Sequence, residues 1–201
     1  MKNKHKIILH LCAEIGSDSQ PYQNAGYDVR IIGKDIGIEN YKPPKNVYGI
    51  IANPPCTQFS YAKTTGTPRD MQEGMRLVKE CMRVIWECQY NLAGPYSKKT
   101  SLKFWMLENP KGLLRYFLGT PVLCYSPWEY GVNYQKKTDM WGNFNIPSKT
   151  FKNKEDVMTN TEIKLALNNS IPLRGSNIFN NQTRRSMCSP AFAKAFYKVN
   201  K

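Results

Sequence analysis

Apolar runs bounded by turn residues recur along the chain at Lys6 to Leu11, Val29 to Gly33, Tyr48 to Ala52, Phe104 to Leu107 and, more weakly, Val122 to Tyr125. Runs this short, with few polar alternates, read as strands buried on both faces. Between the third and fourth runs the period changes. Met71, Met75, Val78, Met82 and Ile85 recur at spacings of four and three, and Leu77, Cys81, Val84 and Cys88 widen the same face, which predicts an amphipathic helix. Thr67 stands where it can cap that helix, with Pro68 at the first helical position. Its methionines read as core rather than as a ligand surface. Strands alternating with helical segments predict an α/β fold, a mostly parallel central sheet flanked by helices, with ligands at the carboxyl ends of the strands. Ser189 and Pro190 open a further amphipathic helix carrying Phe192, Phe196 and Val199, which predicts docking back onto the sheet.

A chain of 201 residues, 41% of them apolar and 22% charged, has the composition of one globular domain, and residues 1–201 are read as such. Between Phe144 and Arg185 the pattern dissolves into Asn, Lys, Ser and Thr around a helical patch at Glu162 to Leu167, so residues 144–185 read as loop or a small insertion. No apolar run approaches the roughly 20 residues of a membrane helix. The start of the chain carries no signal-peptide cleavage pattern, and a cytoplasmic protein is expected. The net charge of +14 favours a polyanionic partner, nucleic acid first, because each neutralised phosphate releases counterions. Charge that merely maintains solubility is the other reading of the same number. The six cysteines form no CxxC pair and the only histidines are His5 and His10, so neither a metal site nor a disulfide framework is expected.

Chemistry gathers where strands end. The third apolar run leads directly into Asn53-Pro54-Pro55-Cys56-Thr57-Gln58-Phe59-Ser60, which puts a thiol on a proline-stiffened loop at the carboxyl edge of the sheet. Such a loop suits a nucleophile that must meet its target at about 3–3.5 Å, and equally suits a tight turn over a buried thiol. The fourth run ends in Glu108-Asn109-Pro110, bringing a carboxyl group and an amide to the same edge. Alone, Glu108 reads as a solvated or helix-capping acid; beside Cys56 it suggests thiol and carboxyl chemistry on a planar base.

These motifs, in this order, resemble the cytosine-5 DNA methyltransferases, whose Pro-Cys loop and Glu-Asn pair follow successive strands of a Rossmann-like domain that binds S-adenosylmethionine (AdoMet). Tyr130-Gly131-Val132 resembles a third motif of that family. The likeness runs from His10 to Phe144 and again from Arg185 to Asn200, nearest to the short phage-type members. It implies methyl transfer from AdoMet to carbon 5 of cytosine in DNA, with Cys56 adding covalently to carbon 6 and Glu108 holding or protonating nitrogen 3. It implies cofactor contacts from Leu11, Ala13, Glu14, Gly16 and Ser17 after the first strand, from Asp35 and Ile36 after the second, and from Asn53 and Pro54. Substrate contacts are implied for Pro55, Gln58, Ser60, Asn109 and Lys137. A target base inside a duplex has to be flipped out to reach such a site.

The chain departs from the family pattern at three places. Glu14 stands where the family has a glycine, and Asn133-Tyr134-Gln135-Lys136-Lys137 replaces an arginine-bearing segment, so that Lys137 offers a point charge rather than a planar fork. Residues 144–185 leave no room for a full target-recognition domain. Lys149, Lys152, Lys154, Arg174, Arg184 and Arg185 can contact phosphates, which positions without specifying, so low or short-motif sequence selectivity is expected. Cytosine-5 methylation of RNA, as in a tRNA-modifying branch of the family, and a noncatalytic nucleic-acid-binding relative are the competing readings.

Overall fold

The computed structural model describes residues 3–13, 15–90, 100–132, 136–159 and 187–201. Six strands form one mixed sheet: β1 (Ile7–Leu11), β2 (Asp28–Ile32), β3 (Val47–Ala52), β4 (Phe104–Pro110), β5 (Leu123–Tyr125) and β6 (Thr138–Asn143), in the order β2-β1-β3-β4-β6-β5. The first four are parallel, and β6 runs antiparallel to both β4 and β5. The helices are α1 (Gln20–Asn24), α2 (Met71–Gln89), α3 (Arg115–Leu118), α4 (Lys154–Thr159) and α5 (Pro190–Val199). All five apolar runs of the sequence are strands here.

Successive side chains of a strand face opposite sides of the sheet, and this alternation builds two cores. On one face Leu9, Leu11, Ile50, Ala52 and Leu107 pack with Val78, Cys81, Val84 and Ile85 of α2. Each of the Leu, Ile and Val side chains here contributes on the order of 1.5–3 kcal/mol by leaving water. On the other face Ile8, Ile51, Phe104 and Met106 pack with Tyr22 of α1 and with Phe192 and Phe196 of α5. That second layer is aromatic: Phe192 stacks on Tyr125 at 4.0 Å, and Tyr22 donates through its hydroxyl to the carbonyl of Asn200.

Helix α2 starts later than Thr67 and Pro68 predict. Its cap is Asp70, whose carboxylate accepts from the Glu73 N–H at 2.9 Å. The residues before it are held as loop because the Arg69 guanidinium donates to the carbonyls of Gln58, Ser60 and Lys63. At α5 the predicted cap holds, with the Ser189 hydroxyl accepting from Phe192 N–H. Strand β6 has no counterpart among the apolar runs. It buries Asp139 completely, and a bidentate ion pair with Arg115 is what makes that burial tolerable.

Strand order locates a topological switch point. The chain passes from β1 to β2 on one side and then to β3 on the other side of β1, so neighbouring connections diverge beyond the carboxyl ends of β1 and β3. Open α/β sheets take their ligands at such a switch point. Glu14, Asn133, Tyr134 and Gln135, the predicted helical patch at Glu162 to Leu167, and Arg174, Arg184 and Arg185 lie outside the described residues.

Candidate active site

Both chemical groups singled out in the sequence come to the carboxyl edge of adjacent strands. β3 ends at Ala52 and releases the loop 53–60; β4 carries Glu108 and Asn109. The cysteine loop is a tight turn in which the Cys56 carbonyl accepts from the N–H groups of both Phe59 and Ser60. Asn109 fixes its other end, donating from Nδ2 to the Pro54 carbonyl at 2.9 Å. The Asn109 Oδ1 is buried and has no hydrogen-bond partner among the described residues. An unpartnered buried acceptor is rare enough in native proteins to mark a place where a donor is wanted.

A buried polar chain runs behind this edge. Glu108, 14% exposed, accepts from Asn53 Nδ2 at 3.3 Å, and Lys136 Nζ stands 3.9 Å from its other oxygen. Asn53 Oδ1 lies 2.7 Å from His10 Nε2, His10 Nδ1 lies 2.9 Å from Ser19 Oγ, and Asp18 approaches the imidazole at 3.8 Å. Cys188, brought in ahead of α5, donates its N–H to Ser17 Oγ. The loop after β1 and the base of the cysteine loop are thus tied through one histidine.

Burial sets the acidities. It pushes the Glu108 carboxyl above the ordinary carboxylate range, with Asp18 adding to the shift and Lys136 and the Asn53 amide opposing it. It raises the Cys56 thiol, which Lys136 pulls back down and Glu108 pushes up. It lowers His10 despite Asp18 and Asn53, so the imidazole is neutral at physiological pH. A carboxyl group whose pKa is raised and a thiol near it, at the ends of adjacent strands, can donate a proton and supply a nucleophile to the same planar ligand.

The other predicted residues divide. Leu11 and Ala13 are buried beneath the loop after β1, and the Leu11 carbonyl accepts from Asn53 N–H at 3.0 Å. Gly16 takes a left-handed φ of +73°, which favours glycine. At Gly33 a Cβ would meet the Ala13 carbonyl at 2.7 Å, so glycine lets the turn after β2 close against this loop. Asp35 and Ile36 are exposed in that turn. Gln58 is engaged in bracing its own loop, its Oε1 accepting from Lys63 Nζ and Asp70 N–H. Pro55 is exposed, and the Ser60 hydroxyl accepts from Ala62 N–H. Lys137 is exposed, and it is Lys136 that faces Glu108. Lys149 is ion-paired with Glu129. Sequence reasoning missed His10, Asp18, Ser19, Lys136 and Cys188; a histidine inside an apolar strand was the available signal, because a buried imidazole needs partners.

Among the described residues no cluster of His, Cys, Asp or Glu could hold a metal ion, and no helix is long and apolar enough to cross a membrane. A shallow hollow bordered by Lys4, Gly26, Tyr27 and Asp28 lies at the opposite, amino edge of the sheet. No protein-family model matches the chain, and a comparison with curated proteins gives no match either.

Proposed function

We propose that this protein is an AdoMet-dependent methyltransferase of Rossmann-like fold that methylates carbon 5 of cytosine in DNA. The observation that carries the reading is the pairing of Cys56 and Glu108 at the ends of adjacent strands, joined through Asn53, with burial keeping the carboxyl group protonated to higher pH. Carbon 5 of cytosine is a poor nucleophile until a group adds to carbon 6. The Cys56 thiolate supplies that addition, while the Glu108 carboxylic acid donates to nitrogen 3 and draws electron density off carbon 6. Lys136 lowers the thiol's pKa and so favours the thiolate.

The residues fit a bound AdoMet at the switch point. Gly16 and Gly33 let the loop after β1 and the turn after β2 pack closely together, which brings Asp18, Ser17 and Asp35 to one edge as acceptors for an amino group and ribose hydroxyls. When bound there, the sulfonium supplies an electrophilic methyl group for the activated carbon 5. Leu11, Ala13, Asn53 and Pro54 border the same crevice at the ends of β1 and β3. The +14 charge favours nucleic acid as the partner, and the reduced stretch 144–185 favours modest sequence selectivity.

Transfer of tritiated methyl from AdoMet to duplex DNA, single-stranded DNA and tRNA, compared between wild type and Cys56→Ala, tests this. Label on DNA that vanishes in the variant while AdoMet still binds is the expected result. Absence of label on every substrate, or label that survives in Cys56→Ala, refutes the mechanism.

A further inference from the structure

Three separate chain segments are stitched into one rim beside the cysteine loop. Leu113 N–H donates to the Phe59 carbonyl at 2.9 Å, Ser60 and Gly112 form an antiparallel bridge, and Lys111 N–H donates to the Lys137 carbonyl at 2.8 Å. The bridge sets Tyr61 across from Lys111, one step beyond the paired residues. At Gly112 a Cβ would meet the Phe59 carbonyl at 2.3 Å, so glycine is what lets the two segments close. The rim therefore stands on bonded backbone, within a few residues of Cys56.

Its outer surface combines two chemistries. Tyr116 is 80% exposed, Tyr61 51% and Phe117 48%, and Phe117 rests edge-on against the buried Phe59 ring at 6.1 Å. Arg115 is paired with Asp139, Lys136 faces Glu108 and Arg69 braces the cysteine loop, so the charge this rim offers outward is that of Lys63, Lys111 and Lys137. Tyr61 and Tyr116, more than half exposed on this rim, contribute little to the core. They match a ligand that presents flat apolar faces along a polyanionic backbone, and in a duplex those faces are hidden in the stack.

We infer that this rim is a docking surface for single-stranded DNA, with Tyr61 and Tyr116 stacking unpaired bases on either side of the nucleotide offered to Cys56 while Lys63, Lys111 and Lys137 meet its phosphates. The choice of DNA over RNA rests on the function proposed above; the preference for an unpaired strand rests on the exposed rings. Unlike a site that extracts its base from a helix, the rim receives a base already free.

Binding without AdoMet separates this inference from the methyl-transfer reading. Fluorescence anisotropy with a labelled 12-nucleotide single strand, the same sequence as duplex, and the RNA equivalent is measured on wild type, Tyr61→Ala, Tyr116→Ala and Lys111→Ala. Trp86→Ala serves as control, because Trp86 is an equally exposed ring on α2, away from the rim. Tighter binding of the DNA strand than of duplex is expected, with a loss of roughly 5- to 150-fold for each tyrosine variant, little change on duplex, and none for Trp86→Ala. Lys111→Ala weakens both forms alike and reduces the salt slope by about one. Tyrosine variants that bind the strand like wild type, tighter wild-type binding of duplex, or tighter binding of RNA overturn the proposal. Strand binding with the expected losses but without methyl transfer leaves the rim standing and refutes only the reaction.

Discussion

His10 ties the loop after β1 to the base of the cysteine loop, and replacing it with alanine has a calculable cost. The side chain is almost fully buried, and its loss removes hydrogen bonds of 2.9 Å to Ser19 and 2.7 Å to Asn53. Each is worth about 0.5–1.5 kcal/mol net, and the Asn53 oxygen left without its donor adds about 1 kcal/mol more. The sum, about 3 kcal/mol, lowers Tm by roughly 6–12 °C in a domain of this size. The cost also depends on pH. Burial holds the folded imidazole below its ordinary value, so as pH falls beneath about 6.5 the unfolded chain takes up a proton that the folded chain refuses. Wild-type stability from this group is complete above that range and is lost as pH falls toward the folded pKa. The alanine variant has no such proton, so its deficit, full at pH 8, narrows by pH 5. Urea unfolding followed by tryptophan fluorescence at pH 8, 7, 6 and 5 measures the gap directly. A gap that is constant or that widens in acid refutes the assignment of His10 as a neutral, buried link.

Three further outcomes follow from the same geometry. In Lys136→Met the thiol of Cys56 and the carboxyl of Glu108 both lose the cation that lowers their pKa values, so the pH profile of the proposed methyl transfer shifts to the alkaline side; an unmoved profile removes Lys136 from the proposed site. Glu108 has a folded pKa above its unfolded one, so its contribution to stability is present in acid and lost as pH rises through the folded pKa. Thermal melts of Glu108→Gln should therefore gain on wild type between pH 5 and pH 8, and a parallel pair of curves speaks against the burial of that charge. Gly142→Ala brings a Cβ to 2.1 Å from the Trp105 carbonyl in the β4–β6 ladder, at a φ of +149°, and is expected to cost at least about 2 kcal/mol in chemical denaturation; a neutral result means the ladder is looser than described.

Strands β1 to β4 and helix α2 were legible because their partners are the bulk of the core: Ile50 or Val84 needs only an apolar neighbour, and periodicity announces that need. The start of α2 was misread because Thr67 and Asp70 are both competent caps, and the choice was made by Arg69, which holds the preceding residues to the cysteine loop. Strand β6 escaped because its buried Asp139 looks like a surface residue until Arg115 is placed beside it. Cys56 and Glu108 stood out in the sequence because Glu108 directly follows one apolar run and Cys56 lies in the proline-stiffened loop that leaves another. The chain from Asp18 through His10 and Asn53 to Glu108 could not, because its links join residues as far as 55 positions apart and no local pattern encodes them.

The docking of α5 bears on how the molecule comes into being. One face of the sheet is finished only when Phe192 and Phe196 settle among Tyr22, Phe104 and Tyr125, and Tyr22 reaches its hydrogen-bond partner 178 residues away. Until residues 190–200 have been synthesised, that aromatic face has no cover, and the Ser17 contact made by Cys188 is missing from the loop after β1. Closing so long a loop is slow, and the waiting face is a surface to which other apolar chains can stick. During translation the nascent protein is therefore a natural client for chaperones, and the step that hides its second core is the same one that completes the crevice.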